Sequence, residues 1–274
     1  MKTNSPWLHR YAIFVAIFAL IAIAAGAVVT SLERPIAATP LATINPAFEF
    51  WHHMIGGVTV VFMVGLAFGF SGPFGWIAFA VGVLDALLGA KAISNALPEL
   101  SAILHALLAE IFFGTIVAIA VMTSASWKHG PEPIADTWRP SLRSLAVAIP
   151  LIVLLQTALG ASYRYRALGV IWHILNAMLV LLLILIVAVF LVRQFPQHSM
   201  LRPAAVAAGV ITAIQVMLGF TTFMMLILFP ETSLAVVITS VLHVATGSLT
   251  FGAGLALAIL IRFNIQGERS LTGQ

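Results

Sequence analysis

The chain has 274 residues, of which 61% are hydrophobic and 8% charged. Soluble domains carry about 25% charged residues, so a water-soluble globular fold is excluded, and disorder, coiled coil and collagen fail on composition as well. The 13 Lys and Arg against 9 Asp and Glu give a net charge of +4, and there is no Cys; the basic residues are spread through connecting segments rather than gathered into a nucleic-acid patch, and thiolate chemistry and disulfides are ruled out.

Apolar runs fall at about 11–31, 47–70, 74–94, 100–124, 143–163, 168–192, 203–229 and 233–262. Runs of this length must be helices, because an open strand in lipid strands its backbone donors and acceptors. The predicted class is therefore an all-α integral membrane protein with eight transmembrane helices. No A-x-A-like site follows the first run, which reads as a retained helix rather than a removed signal peptide. The second run opens with Asn45-Pro46, a capping residue followed by proline at the first helical position.

With the N-terminus cytoplasmic, nine Lys and Arg fall on the inner side: Lys2, Arg10, Lys128, Arg139, Arg143, Arg193, Arg202, Arg262 and Arg269. The outer side then holds four, Arg34, Lys91, Arg164 and Arg166. This bias predicts both termini cytoplasmic. The longest polar connection, 126–142, lies inside and divides the chain into a first half, 1–125, and a second, 143–274. The halves look like copies: the third helix reads Asp85-Ala86-Leu87-Leu88-Gly89, the fifth Gln156-Thr157-Ala158-Leu159-Gly160 and the seventh Gln215-Val216-Met217-Leu218-Gly219, with Gly26 alone kept in the first. Four helices per copy predicts two pseudo-symmetric four-helix bundles related by an axis along the membrane normal.

Eight histidines occur. His9, His129 and His198 read as solvated side chains of the inner tail and loops. His52, His53, His105, His173 and His243 lie within even-numbered helices, each in its first half, near the outer surface. One intramembrane His can serve a structural hydrogen bond; one on every even helix points to function. Four residues after the candidates stand Gly56, Ala109, Ala177 and Gly247, small enough to leave a gap for a flat macrocycle, although small residues also serve ordinary helix packing. The pairs His52 with His105 and His173 with His243 are candidate axial ligands for two haems, with His53, four residues before Gly57, the alternative to His52, which the Glu49 spacing favours; tetrahedral zinc lacks the further ligands it needs. Arg164, Arg166, Arg34 and Lys91 lie level with these histidines, as candidate propionate partners or as interfacial anchors. Glu49 precedes His52 by one turn on the same face, where it is a candidate catalytic carboxylate or a first-turn residue favoured by the helix dipole. Asp85 reads as a hydrogen-bonding residue at a helix crossing, and Glu110 is off the face of His105.

Gly26-Ala27-Val28-Val29-Thr30, Glu49-x-x-His52, Leu87-Leu88-Gly89-Ala90 before His105, Gly160-Ala161-Ser162-Tyr163-Arg164 before His173 and Leu218-Gly219 before His243 together resemble the haem A synthase family of cytochrome oxidase assembly proteins. The resemblance runs over about residues 10–263 and rests on the ordered set rather than on any single motif. It implies an enzyme of the cell membrane that oxidises a ring methyl of haem O to a formyl group by successive hydroxylations. His173 and His243 would hold a permanent haem b with Arg164 near it. His52 and His105 would face the substrate haem O, and Glu49 would stabilise positive charge at the reacting carbon or move protons. Haem O, membrane lipid, a haem O synthase and a second copy of the chain are the partners it suggests; nucleic acid is not among them. Three features depart from the family pattern: His53 and Ile174 stand where Arg is common after the first and third histidines, and the loop cysteines of many bacterial members are missing. The competing readings are a bis-His b-type cytochrome that carries electrons or haem without oxidising it, and a secondary transporter with repeated halves.

Overall fold

Proline opens the first four long helices, α1 (Pro6–Leu32), α2 (Pro46–Gly69), α3 (Pro73–Gly89) and α4 (Pro98–Thr123); its missing N–H is one that the first turn leaves unbonded in any case. Serine caps later ones. The hydroxyls of Ser124, Ser141 and Ser233 accept from the amides of Trp127, Ser144 and Val236, starting the short α5 (Ala125–Lys128), α6 (Leu142–Arg164) and α9 (Leu234–Asn264). Between them run α7 (Val170–Gln194) and α8 (Leu201–Leu228). This computed structural model describes residues 6–32, 46–70, 73–89, 98–136, 139–231 and 233–266. Asn45, expected to cap α2, lies outside them, as do Arg34, Lys91 and the expected end of the third span beyond Gly89.

Seven of the described helices are long and apolar enough to cross a bilayer: α1, α2, α4, α6, α7, α8 and α9. The eighth expected span, α3, is described as a 17-residue apolar helix. Side chains such as Phe68, Leu234 and Val61 stand about three-quarters to two-thirds exposed, a surface that only lipid covers without penalty. The chain is a multi-pass, all-α membrane protein.

Two apolar cores form, and the long polar connection separates the residues that build them. One joins Val15 of α1, Met63 and Leu66 of α2, Ala78 of α3 and Ile116 and Ile119 of α4. The other joins Ile149 of α6, Ile184 and Leu191 of α7, Leu201 and Ala205 of α8 and Leu257 and Ile261 of α9. Within each set every helix packs on the next, and the last returns to the first, α4 to α1 and α9 to α6. The two sets meet where α9 packs on α1 and α4, and α4 on α6.

Buried threonines inside these helices are satisfied locally, the cheapest solution in a dry interior. Thr59, Thr123, Thr212 and Thr250 donate to the carbonyls four residues earlier, Ile55, Ile119, Ala208 and Thr246. The polar connection is more ordered than its composition suggests. Ile134–Ala135 (β1) pair in parallel with Ile265–Gln266 (β2) at the end of α9, and the Glu132 amide donates to Asn264 Oδ1 at 2.8 Å. His198 is also a correction to the solvated reading. It is buried, its Nδ1 accepts from the amides of Met200 and Leu201 at 3.2 Å to start α8, and it lies against Glu132. His9 is half-buried with Nδ1 against the Ala120 carbonyl at 2.8 Å; His129 is exposed as expected.

Candidate functional site

The four glycines picked out by the sequence repeat share one job. An ideal Cβ on Gly26, Gly89, Gly160 and Gly219 would come within 2.8, 3.0, 2.8 and 2.9 Å of Cε1 of His52, His105, His173 and His243 respectively. Real Cβ atoms do not approach so closely, so each glycine is a shelf on which one imidazole edge rests. The residue one turn before each glycine faces the same ring. The Nδ1 atoms of His52, His105 and His173 lie 3.1, 3.0 and 3.2 Å from the carbonyl oxygens of Ala22, Asp85 and Gln156. The Gln215 carbonyl stands opposite His243, but off hydrogen-bond geometry, so that His243 Nδ1 is buried without a partner among the described residues. The helices α1, α3, α6 and α8 thus each set a glycine against the histidine of the helix that follows, and in the first three a carbonyl one turn earlier on the same face meets that ring as well.

Clamped this way, the imidazoles come together in two pairs. The His52 and His105 ring centres are 6.2 Å apart with planes at 80°, and those of His173 and His243 are 6.1 Å apart at 86°. Two imidazole nitrogens bonded at about 2.0 Å to opposite sides of one metal ion would set their ring centres about 6 Å apart. Nδ1 faces a backbone carbonyl in His52 and His105, which leaves Nε2 as their metal-binding nitrogen. Among the described residues no group of three or more His, Cys, Asp or Glu could share a metal ion. Two imidazoles per site suit the axial positions of a porphyrin iron rather than tetrahedral zinc.

The side chains behind the rings differ from pair to pair. Asp85 Oδ1 lies 2.8 Å from His105 Nδ1, off the N–H direction that the Asp85 carbonyl occupies. Gln156 Nε2 lies 3.0 and 3.2 Å from the two ring nitrogens of His173 and donates to the His173 carbonyl at 3.0 Å. Asn176 holds that amide in place by donating to Gln156 Oε1 at 2.8 Å. Gln215 Nε2 fills the space beside Gly247, so the expected gap after His243 is occupied by an amide, whereas the position beside Gly56, after His52, is open.

Glu49 occupies the first turn of α2, half-buried, one turn before His52. His53 is exposed and takes no place in the pair, although its ring centre is 5.6 Å from that of His52. Arg164 ends α6 and reaches into the other half of the chain, donating through Nη2 to the Ala27 carbonyl at 3.1 Å and to Ser31 Oγ at 2.6 Å; its charge is close enough to be felt at His243. Arg166 is exposed in a left-handed turn after α6 (φ 61°), and Ile174 is exposed.

Sequence reasoning missed the clamping carbonyls of Ala22, Asp85, Gln156 and Gln215, although the spacing from each to its glycine was on view. It also missed Ser248, five residues after His243, whose hydroxyl donates at 2.6 Å to Oε1 of buried Glu110, five residues after His105. Reciprocal contacts follow, Phe251 against Gly114 and Phe113 against Gly252. No protein-family model matches the chain, and no curated protein matches it.

Proposed function

We propose that the chain is a haem-binding membrane oxidoreductase of the haem A synthase kind, which converts a ring methyl of haem O to a formyl group. One observation carries this reading: two histidine pairs, each imidazole resting on a glycine shelf, each pair at a separation that would let both rings hold one iron. The recurrence supports a duplicated architecture of two pseudo-symmetric four-helix bundles with α3 as the eighth span. Its 17 residues rise about 26 Å, close to the roughly 30 Å hydrocarbon core. The excess of Lys and Arg at the opposite ends of the helices supports cytoplasmic termini in a cell membrane, with the histidine pairs toward the outer face.

Each residue then has a task. His173 and His243 would hold a resident haem b, and Arg164, near His243 and already bridging the halves, would supply a cation at that end. His52 and His105 would hold the substrate haem O. Haem supplies the redox centre of the oxidation when it is bound. Glu49, one turn from His52, accepts the proton released at the reacting carbon or stabilises positive charge developing there.

Purified protein should give a b-type pyridine haemochrome, and coexpression with a haem O source should yield haem A by extraction and mass analysis. Glu49→Ala should abolish haem A while leaving haem b bound. Haem O accumulating beside bound haem b in the unmodified protein would favour the electron- or haem-carrying b-type cytochrome instead, a reading that the likeness of the two pairs also suits. A transporter gains no support, since the described spans continue unbroken through the midplane, including α6 at Pro150.

A further inference from the structure

The four histidines rest on like glycine shelves, and the residues one turn before those glycines differ in their side chains. The clamping residue is Ala22 behind His52, Gln156 behind His173 and Gln215 behind His243, but it is Asp85 behind His105. Only there does a carboxylate oxygen stand 2.8 Å from an imidazole Nδ1. Asp85 is shielded, its side chain 14% exposed, so neither bulk water nor salt screens it effectively. The neutral alternative is drawn in the same molecule, where the Gln156 amide presents a donor to His173 and is itself held by Asn176.

A negative carboxylate held this close to a metal-bound imidazole favours the more highly charged state of the metal through its charge, even where the imidazole N–H is directed at a backbone carbonyl. A neutral amide in the same position supplies no such charge. We propose that Asp85 is a positioning and tuning residue that biases the His52–His105 site toward ferric iron, and that Gln156 withholds the same bias from the His173–His243 site. The inference rests on the haem-binding reading above. Its consequence for the oxidation is a direction: the residues around the N-terminal pair favour giving up an electron more than those around the C-terminal pair do.

The test is a spectroelectrochemical redox titration of the full-length protein loaded with haem, resolving the components at the two sites. Asp85→Asn, nearly isosteric, should raise the midpoint of the N-terminal component and leave the C-terminal one in place. A tenfold change in ferric over ferrous preference, at the lower end of typical outer-shell effects, corresponds to about 59 mV. Gln156→Glu leaves Asp85 intact and should lower the C-terminal component by a similar amount, so it decides the question if Asp85→Asn loses its haem. Loaded protein in which neither variant moves its own component overturns the proposal and leaves the haem-binding reading standing. Unmodified protein that binds no haem overturns that reading and this inference with it.

Discussion

Substituting Gly160 with Ala asks directly whether the glycine shelves place the histidines. The new Cβ would stand 2.8 Å from Cε1 and 3.1 Å from Nδ1 of His173, where carbon contacts prefer about 3.5–4.0 Å. The ring must therefore retreat from α6 by roughly 0.7 Å. Its Nδ1 is already 3.2 Å from the Gln156 carbonyl, so the retreat breaks that bond. Overpacking of this kind costs about 1–3 kcal/mol and a lost hydrogen bond about 0.5–1.5 kcal/mol. Against these, alanine favours a helix over glycine by about 1 kcal/mol. The balance, on the order of 1–3 kcal/mol against the native ring position, weakens haem retention roughly 5- to 150-fold. The assay is haem per protein after washing in detergent, read by pyridine haemochrome beside the thermal unfolding midpoint. Gly57→Ala, where a Cβ meets nothing within 4 Å, is the control and should keep its haem. Gly160→Ala protein with a full haem complement and an unchanged axial-ligand spectrum would refute the shelf. A fall in unfolding midpoint that fully accounts for the haem loss would do so too.

Two further outcomes follow from polar contacts away from the paired rings. Ser248→Ala leaves the carboxyl of Glu110, 4% exposed, without the hydroxyl that donates to it. It should destabilise the fold by about 1–3 kcal/mol, whereas Glu110→Gln keeps an acceptor for that hydroxyl and should cost less; equal losses in detergent unfolding would show that the contact does not join the halves. At the other end of the helices, the exposed Glu132 is held below the usual carboxylate range by the Ser199 hydroxyl, with the Ser199 amide and His198 beside it. A depressed folded-state value means that its contribution is complete above the ordinary carboxylate range and is lost as pH falls through the folded one. The gap in unfolding midpoint between the unmodified protein and Glu132→Gln should therefore be full at neutral pH and close as pH falls through and below the ordinary carboxylate range. A gap that is constant over this window would remove Glu132 from the clasp between β1 and the start of α8.

Much of the candidate site was legible in the residues themselves. A histidine near the start of α2, α4, α7 and α9 is visible as a polar residue in an apolar run, and the glycine repeat is visible as a recurring word. Their connection was not visible, because residue type says nothing about the facing of one helix on another. His198 shows the same gap in reverse: a histidine in a polar loop reads as solvated, yet the turn before α8 buries it as the cap of that helix. Glu110 lies off the face of His105 by register alone, but its meeting with Ser248 across the two halves needed the packing of α4 on α9.

Composition and run length alone settled that the chain is helical and lives in lipid, since a local stretch of apolar side chains either covers the hydrocarbon thickness or does not. Which imidazoles face each other depends on the rotation of every helix about its own axis. That rotation is decided where backbone meets ring, at Gly26, Gly89, Gly160 and Gly219, by contacts between residues 13 to 26 positions apart. Such contacts are a property of the assembled bundle, because the close approach that makes them exists only once the neighbouring helix is in place.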